Sequence, residues 1–483
     1  MNTLAPSRIA KNTTYLTMAY VCQKLLAFLF FIAIARLTGV ENTGKYFFAM
    51  SFATIFTIGA DVGLSPVLTR EVAKKPESAG KLLSQTLGVK STLLLLTYLA
   101  MVSLVYLLGY DVLTRQLVYI AGLVMVLDSL HLTLYAVWRG LQNLKFEAIG
   151  IFIAEFIIVG FGATALFLGW PLTMLIVAFL LGSLFNVIYA TLLLYAKHRL
   201  LPSFALPSRQ VLKLVKMAVP FALAGFFVKG YTHLDSVLLS KLADAAAVGY
   251  YSIPFKISFA LQFIPMGFAA SIYPAMSHYF VSSRELLAKT YERALYYLMI
   301  LAVPIAFGVF VLAEPIIIFL YGEDYRPAVV ALKIMIFSVI FIFLQFPVGS
   351  LLNATNRQTI NTLMMGIAMV INVSLNLLLI PRLSFMGAAV ANVATLAFLF
   401  VSTFFAARNV VPINYRRLLT RSAKIFFAAI IMAVVLYYLL NVVYFAILIP
   451  LGAVIYFAVL LVTRGLTLKE ITKAWRAVFI QRH

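Results

Sequence analysis

Apolar stretches of about twenty residues recur along nearly the whole chain, and this recurrence restricts the possible folds most. A helix needs about twenty predominantly apolar residues to cross the hydrocarbon of a bilayer. Short polar or turn-forming breaks such as GVENTG, GYDVLTR and YGEDYRP separate the stretches. We therefore predict about fourteen transmembrane helices. Their approximate limits are 13–37, 44–69, 82–109, 116–138, 147–169, 171–195, 215–240, 247–275, 292–313, 328–352, 359–380, 387–407, 422–440 and 443–463.

The composition supports an all-α polytopic membrane protein. Hydrophobic residues make up 63% of the 483 residues and charged residues only 11%, whereas a soluble domain carries roughly 25% charged residues. No polar segment is long enough to form a separate soluble domain. The single cysteine, Cys22, excludes an intrachain disulfide and a cysteine-rich metal site. We predict no metal site and no catalytic residue.

The distribution of basic residues predicts the orientation in the membrane. If the N-terminus is cytoplasmic, 27 of the 38 lysines and arginines fall in cytoplasmic segments and five fall in outer loops. The positive-inside rule then places both termini in the cytoplasm and requires an even number of spans. This predicts a multi-pass protein of the cell (inner) membrane. It also explains the net charge of +22 without a nucleic-acid partner.

The remaining six basic residues lie within predicted spans. They are Lys24, Arg36, Lys90, Lys229, Lys256 and Lys333. Lys90 and Lys333 lie about two turns inside their spans, and we expect their side chains to snorkel to the interface. Lys24 lies deeper, where a lysine costs at least about 2.5 kcal/mol on insertion scales. Such residues usually serve a function.

An internal repeat relates the first and seventh predicted helices. An offset of 205 residues places Lys24 on Lys229 and Arg36 on Lys241, and the GKY that follows Arg36 falls on the GYY that follows Lys241. Since the repeat contains an even number of spans, its two copies would be related by an axis along the membrane normal. A chance alignment of two lysines is the alternative.

The repeat predicts two six-helix lobes around a central cavity, with a helical pair at the end. A second echo, at an offset of 213 residues, aligns the turns at Asn143 and Asn356. The predicted domains are an N-lobe at 1–196, a cytoplasmic linker at 197–214, a C-lobe at 215–410, the final helical pair at 411–464 and a basic tail at 465–483.

Two such lobes can rock to give alternating access to a cavity at the bilayer midplane. Lys24 and Lys229 would then face each other across the cavity, where their repulsion favours binding of an anion between them. Arg36 and Lys241 would form a second basic layer near the outer mouth.

Two further residues complete the predicted anion site. His233 lies one turn after Lys229 and shares its face of the helix. Lys256 lies in the eighth helix, whose prolines at 254, 265 and 274 favour bending. The bending would assist transport, although prolines are also tolerated in membrane helices for structural reasons.

Four carboxylates also lie well inside the predicted spans. They are Asp61, Asp128, Glu155 and Asp235. Asp128 and His131 share a helix face and would suit a proton relay, with a neutral polar cluster between helices as the alternative. Asp235 could balance the charge of Lys229. We predict ion coupling through His131 and these carboxylates, so that H⁺ or Na⁺ is the only cofactor expected.

Several segments resemble the polysaccharide-transporter, or oligosaccharide flippase, family. They are AIARLTGVENTGKYFFAMSFATIF, DVGLSPVLTREVAKK, WRGLQNLKFEAIG, LDSVLLSKLADAAAVGYYSIPFKI and LIPRLSFMGAAVANVAT. The resemblance implies flipping of a polyprenyl-(di)phosphate-linked glycan from the inner to the outer leaflet. It implies membrane lipids and polysaccharide-assembly proteins as partners, and the last two helices as a surface for the polyprenyl tail.

Three other functions compete with this interpretation. An ion-coupled multidrug exporter would need an acidic or apolar cavity, and a lipid II-type flippase is a further alternative. A membrane enzyme would need polar catalytic loops or clustered histidines, whereas the outer loops are short and the five histidines are scattered. Since the chain has no GxxxxGK[ST] motif, we expect energy from an ion gradient, the membrane potential or substrate consumption outside.

Overall fold

The structure, a computed structural model, describes residues 6–205 and 209–467, which form helices joined by short connecting segments. These residues form sixteen α-helices and two short 3-10 helices, with no β-strand among them. The α-helices are α1 Pro6–Asp61, α2 Leu64–Lys74, α3 Ala79–Leu107, α4 Val112–Gly140, α5 Lys145–Phe167, α6 Thr173–His198, α7 Arg209–Leu242, α8 Ala245–Ala260, α9 Phe263–Ser282, α10 Arg284–Val311, α11 Ala313–Tyr321, α12 Ala328–Met335, α13 Ser338–Ala354, α14 Gln358–Ala407, α15 Tyr415–Leu439 and α16 Phe445–Val462. The 3-10 helices are Pro76–Ser78 and Glu323–Tyr325. Part of the predicted linker (206–208) and most of the predicted basic tail (from 468) lie outside the described residues.

Two of the helices contain an interior break, so that each comprises two spans. α1 breaks at Gly39, which has φ 77°, and α14 breaks at Ser384, which has φ 51°. Glycine adopts positive φ without steric penalty because it lacks a Cβ. The helices α8 and α9 together form the predicted eighth span, and α12 and α13 form the tenth. With these divisions the helices account for all fourteen predicted spans.

Membrane-spanning character is confirmed for most of these helices. Among the described residues, eleven helical segments are long and apolar enough to cross a membrane, and the segments containing the breaks at Gly39 and Ser384 each count once. The chain is therefore an all-α, multi-pass membrane protein, as predicted.

The second predicted span (44–69) ends earlier than expected. α1 ends at Asp61, and the left-handed residues Val62 and Gly63 then turn the chain into α2. α2 packs its apolar side against α4, and its exposed side carries charged residues. It is thus a separate amphipathic helix.

The chain divides into two compact units, the first being the described residues of Met1–Ser252 together with Met369–Ala388. In this unit α4 packs against α1, α2 and α6, and α5 packs against α1 and α6. Trp138 and Tyr135 of α4 lie in a buried apolar cluster with residues of α2, α3 and α6. This packing fixes the rotation of α4 and therefore the direction of its polar residues.

The second unit comprises Ile253–Ala368 and the described residues of Ala389–His483. Its central helix is α10, which packs against α9, α13 and α15, and α15 in turn packs against α16. Tyr456 of α16 donates a hydrogen bond of 3.0 Å to the carbonyl of Ile300 in α10. The last two helices are therefore fastened to α10.

Candidate functional site

A reciprocal pair of glycine contacts joins the α1 break to the start of α8. A Cβ on Gly44 would lie 1.8 Å from the carbonyl oxygen of Ala245, and a Cβ on Gly249 would lie 2.2 Å from that of Val40. Real Cβ contacts below 3.0 Å are essentially never seen. The two contacts are exchanged by the offset of 205 residues found in the sequence. We call them the glycine contacts.

The C-terminal end of α7 contacts the loop between α3 and α4 through hydrogen bonds and a cation–π interaction. Lys241 Nζ donates a hydrogen bond of 2.5 Å to the carbonyl of Leu108 and lies 3.5 Å from the centre of the Tyr110 ring. Ser240 and Tyr110 share a hydroxyl hydrogen bond of 2.7 Å. Lys241, predicted to bind an anion, thus takes part in contacts between helices in this structure. Arg36, its predicted counterpart, is exposed.

An ion pair also joins the same loop to α1. Lys45 Nζ lies 3.4 Å from Asp111 Oδ2, and Asp111 caps α4 by accepting hydrogen bonds from Thr114. Burial favours the neutral acid, but the hydrogen bonds from Thr114 and the charge of Lys45 outweigh it and hold the pKa of Asp111 below its usual value.

Lys24 lies beside a buried carboxylate of α5. Its side chain is accessible, and its charge interacts with Glu155, which is 3% exposed. One turn earlier on α1, Tyr20 lies beside a second acid, Glu147. Glu147 is fully buried and accepts a hydrogen bond of 2.8 Å from Arg139 Nε. Two acids of α5 therefore face α1, and the one assigned to ion coupling lies near Lys24.

Lys229 lies among groups of the first unit. It is half-buried, donates a hydrogen bond to Thr57 Oγ1, and interacts electrostatically with Asp61 and Asp128. The structure thus brings a predicted anion-binding lysine together with two predicted ion-coupling carboxylates. The pairing of these two roles was not expected from the sequence.

Lys90 is fully buried, so the expectation that it snorkels is wrong. Its ammonium group lies 2.5 Å from Asp61 Oδ1, and it donates hydrogen bonds of 2.7 Å to the Ser129 carbonyl and 2.5 Å to Thr133 Oγ1. These partners on α1 and α4 replace the water that snorkelling would supply. The available signal was the opposite charge of Asp61 in the preceding span. Asp61 also accepts a hydrogen bond of 2.5 Å from Ser65.

Replacing Lys90 with methionine is expected to lower the free energy of unfolding by about 3–5 kcal/mol, because one member of a buried ion pair is lost. The thermal unfolding midpoint of the detergent-solubilised protein measures the effect. Lys333→Met is the matched control, because Lys333 is only half-buried. Lys90→Met/Asp61→Asn should recover part of the loss. Equal midpoints for Lys90→Met and Lys333→Met would contradict this role for Lys90.

Asp128 and His131 share a face of α4, as predicted. Asp128 Oδ1 lies 3.1 Å from His131 Nε2 and accepts a hydrogen bond of 2.5 Å from Ser183 of α6. The Asp128 side chain is 43% exposed. An accessible carboxylate beside an imidazole can exchange protons, and its charge also acts on Lys229.

Asp235 is fully buried and hydrogen-bonded to uncharged donors. Tyr251 of α8 donates a hydrogen bond of 2.6 Å to Oδ2, and Asn376 of α14 donates one of 2.7 Å to Oδ1. The other side-chain atom of Asn376, Oδ1, is buried and has no hydrogen-bond partner among the described residues. The sequence did not indicate these two partners, which lie 16 and 141 residues away.

The other predicted site residues lie in different surroundings. His233 is half-buried on α7 one turn after Lys229, in the first unit. Lys256 is half-buried on α8 and belongs to the second unit. Within the described ranges, no group of three or more His, Cys, Asp or Glu residues could hold a metal ion.

Comparison with known proteins gives two family matches. The profile described as "Polysaccharide biosynthesis protein" matches residues 9–280, and the MatE profile matches residues 220–378. A relative from Haloferax volcanii, named as a probable low-salt glycan biosynthesis flippase (Agl15), is 22% identical over 390 residues, which cover 80% of this chain and 81% of the relative.

Solved structures share the fold. The lipid II flippase MurJ in its inward closed conformation superposes with a TM-score of 0.75 at 18% identity, covering 92% of this chain and 97% of MurJ. An inward-facing multidrug resistance MATE transporter of the MOP superfamily gives a TM-score of 0.67 at 15% identity, covering 80% and 94%. These likenesses establish the architecture.

Proposed function

Since the chain belongs to the polysaccharide biosynthesis protein family, we propose that it is a flippase for a polyprenyl-(di)phosphate-linked oligosaccharide. It would move this lipid from the cytoplasmic to the outer leaflet of the inner membrane by alternating access. Both termini would be cytoplasmic, as the distribution of basic residues predicts. Its partners would be membrane lipids and polysaccharide-assembly proteins.

The observation that carries the proposal is the accessible charge of Lys24 and the half-buried charge of Lys229 within predicted spans. A diphosphate loses its hydration when it enters a bilayer, and ammonium groups can replace that hydration with charge-assisted hydrogen bonds. Both lysines fall within the part of the chain that matches the family profile. The probable glycan flippase of Haloferax volcanii supports a glycan substrate.

The neighbouring carboxylates would compete with the substrate phosphate for the two lysines. Without substrate, Glu155 balances the charge of Lys24, while Asp61 and Asp128 balance that of Lys229. A phosphate would compete with these carboxylates for the lysines. Protonation of Asp128 would remove one competitor of the phosphate at Lys229, which would couple proton entry to substrate binding.

The glycine contacts supply the element that alternating access requires. They hold the start of α8 against the α1 break at the end of the molecule predicted to face outward. Only glycine permits this approach, because any Cβ would overlap a backbone carbonyl. We propose that this end opens when the glycine contacts separate.

A flipping assay in proteoliposomes tests the proposed function. A fluorescent polyprenyl-diphosphate oligosaccharide is incorporated, and a membrane-impermeant quencher reports how much of it has crossed. We expect crossing that depends on the protein. Absence of crossing, together with transport of a cationic dye such as ethidium, would favour the multidrug exporter. The MatE match at 220–378 makes that exporter the second candidate.

A competition between two substrates distinguishes the glycan flippase from a third candidate, a lipid II-type flippase. A lipid II-type flippase would prefer a carrier bearing a peptide-linked disaccharide, and the fold likeness to MurJ motivates the comparison. Equal amounts of lipid II and a peptide-free glycan lipid are offered in the same vesicles. Faster crossing of the peptide-free lipid is the expected result.

Asp128→Asn is expected to remove the dependence of glycan crossing on a proton gradient, because an amide neither releases a proton nor competes for Lys229. Crossing is measured with and without an imposed pH difference. Asp324→Asn serves as the control, since Asp324 is exposed in the 3-10 helix Glu323–Tyr325 and lies outside the predicted spans. If Asp128→Asn keeps the gradient dependence of the wild type, this residue does not couple protons.

Asp235 is the candidate for coupling to Na⁺ instead. Rotation of the Asn376 amide would turn its unsatisfied Oδ1 toward the buried carboxylate and the Tyr251 hydroxyl, and three such oxygens would fit a hard cation. We expect Na⁺, compared with K⁺ at equal ionic strength, to raise the unfolding midpoint of the wild type but not that of Asp235→Asn. Equal midpoints in both salts would leave Asp128 as the coupling residue.

A further inference from the structure

A basic recess lies between the first turns of α10 and α15, entirely within the second unit. Its volume is about 140 Å³. Four cationic side chains line it: Lys289 and Arg293 from α10, and Arg417 and Arg421 from α15. None of them is among the predicted substrate-binding residues. We call it the α10/α15 recess.

Positive charge predominates in the recess. Its one acidic residue, Glu292, accepts a hydrogen bond of 2.9 Å from the backbone N–H of Asn414. Lys289 is paired with Glu285, one turn earlier on α10. The lining of the recess therefore contains three arginines and one carboxylate. Guanidinium groups bind phosphate oxygens in a bidentate manner.

One side-chain contact and one helix cap shape the α15 wall of the recess. The guanidinium of Arg421 lies 4.7 Å from the ring centre of Tyr296, whose side chain is buried. Asn414 caps α15 by accepting a hydrogen bond of 3.0 Å from the Arg417 backbone N–H. The positive end of the α15 dipole is therefore beside the recess. A bound anion would meet the Arg421 side chain where it already packs on the buried Tyr296 ring.

An apolar stripe on α15 leads away from the recess along the helix. Its members are exposed and lie at helical spacing from Leu419 through Phe427 and Ile430 to Val434. A ligand that occupies both features needs an anionic head and apolar chains. The positive-inside distribution predicts that this end of the helices is cytoplasmic, where the leaflet carries anionic lipids.

We propose that the α10/α15 recess binds the phosphate of an anionic phospholipid head group, with the acyl chains along the exposed stripe of α15. The lipid would tie α15 to α10 and stabilise the second unit. This site is separate from transport of the glycan lipid and does not depend on it.

Titration of lipid into the detergent-purified full-length protein tests the proposal. The probes are short-chain phosphatidylglycerol, phosphatidylcholine of the same chain length, and inorganic phosphate, and native mass spectrometry counts the bound molecules. We expect phosphatidylglycerol to bind the wild type and the other two not to bind. Arg417→Gln and Arg421→Gln should each weaken binding by at least about tenfold, because each removes a charge-assisted hydrogen bond to the phosphate.

Arg408→Gln/Arg416→Gln is the matched control for Arg417→Gln/Arg421→Gln. It removes the same charge from exposed arginines outside the recess, and it should retain wild-type binding. If both double variants lose phosphatidylglycerol binding equally, the binding depends on general surface charge and the proposal is wrong. Equal binding of phosphatidylcholine, or binding of inorganic phosphate as tight as that of the lipid, would also overturn it. The exposed Arg417→Gln variant provides a separate test if Arg421→Gln unfolds.

Discussion

Alanine at Lys24 or at Lys229 is expected to reduce glycan crossing by about 10- to 100-fold, while the protein still inserts into the membrane. Each substitution removes a charge-assisted hydrogen bond to the substrate phosphate, which is worth about 1.5–3 kcal/mol. The measurement is the initial rate of crossing in proteoliposomes that contain equal amounts of each variant. The double variant should fall to the rate of empty vesicles.

Two controls separate an anion site from a structural role. Lys24→Arg and Lys229→Arg keep the charge and should retain part of the activity. Lys333→Ala removes a half-buried lysine of the second unit, and its crossing rate should remain near that of the wild type. Full activity of the double alanine variant would refute the proposal that these two lysines bind the substrate phosphate.

A variant of Glu155, the carboxylate beside Lys24, tests whether carboxylates compete with the substrate phosphate. If Glu155 competes with phosphate for Lys24, then Glu155→Gln should bind the glycan lipid more tightly and release it more slowly. We expect a lower half-saturating substrate concentration together with a lower maximal rate.

Valine at Gly44 or Gly249 is expected to force apart the glycine contacts and to lower glycan crossing by at least about tenfold. Each Cβ would overlap a carbonyl oxygen of the opposite segment, at 1.8 Å and 2.2 Å respectively. Overpacking of this kind costs about 1–3 kcal/mol, which changes a two-state equilibrium by about 5- to 150-fold. The molecule should then spend most of its time open at this end.

Thiol labelling measures the opening directly. Because Cys22 is the only cysteine, a Cys22→Ser background carrying Ala245→Cys reports access of a water-soluble maleimide to the closed segment. Gly44→Val should raise the labelling rate. Gly160→Val is the matched control, since a Cβ at Gly160 of the first unit meets nothing within 4 Å. Unchanged labelling and unchanged crossing in Gly44→Val would show that this end does not need to close.

The helical spans were largely predictable, whereas the pairing of charges was not. Helices end at Gly39 and just before Gly109, at the turn-forming breaks GVENTG and GYDVLTR that separate the predicted spans. Lys90 illustrates the other case: at a similar depth to Lys333, it was given the same snorkelling role. The rotation of α4 brings Ser129 and Thr133 to its ammonium group, and that rotation depends on packing around Trp138.

The sequence by itself determined the membrane class, the order of the spans, the predicted orientation and the repeat at an offset of 205 residues. These properties depend on the local run of apolar residues and on residue identity, which need no neighbouring helix. Only the tertiary structure decided that Lys229 lies near Asp61 and Asp128, that Asp235 meets Asn376, and that Gly44 and Gly249 exchange equivalent contacts. Each of these contacts joins residues more than a hundred positions apart, and side-chain packing between helices, which hydropathy does not encode, sets which faces meet.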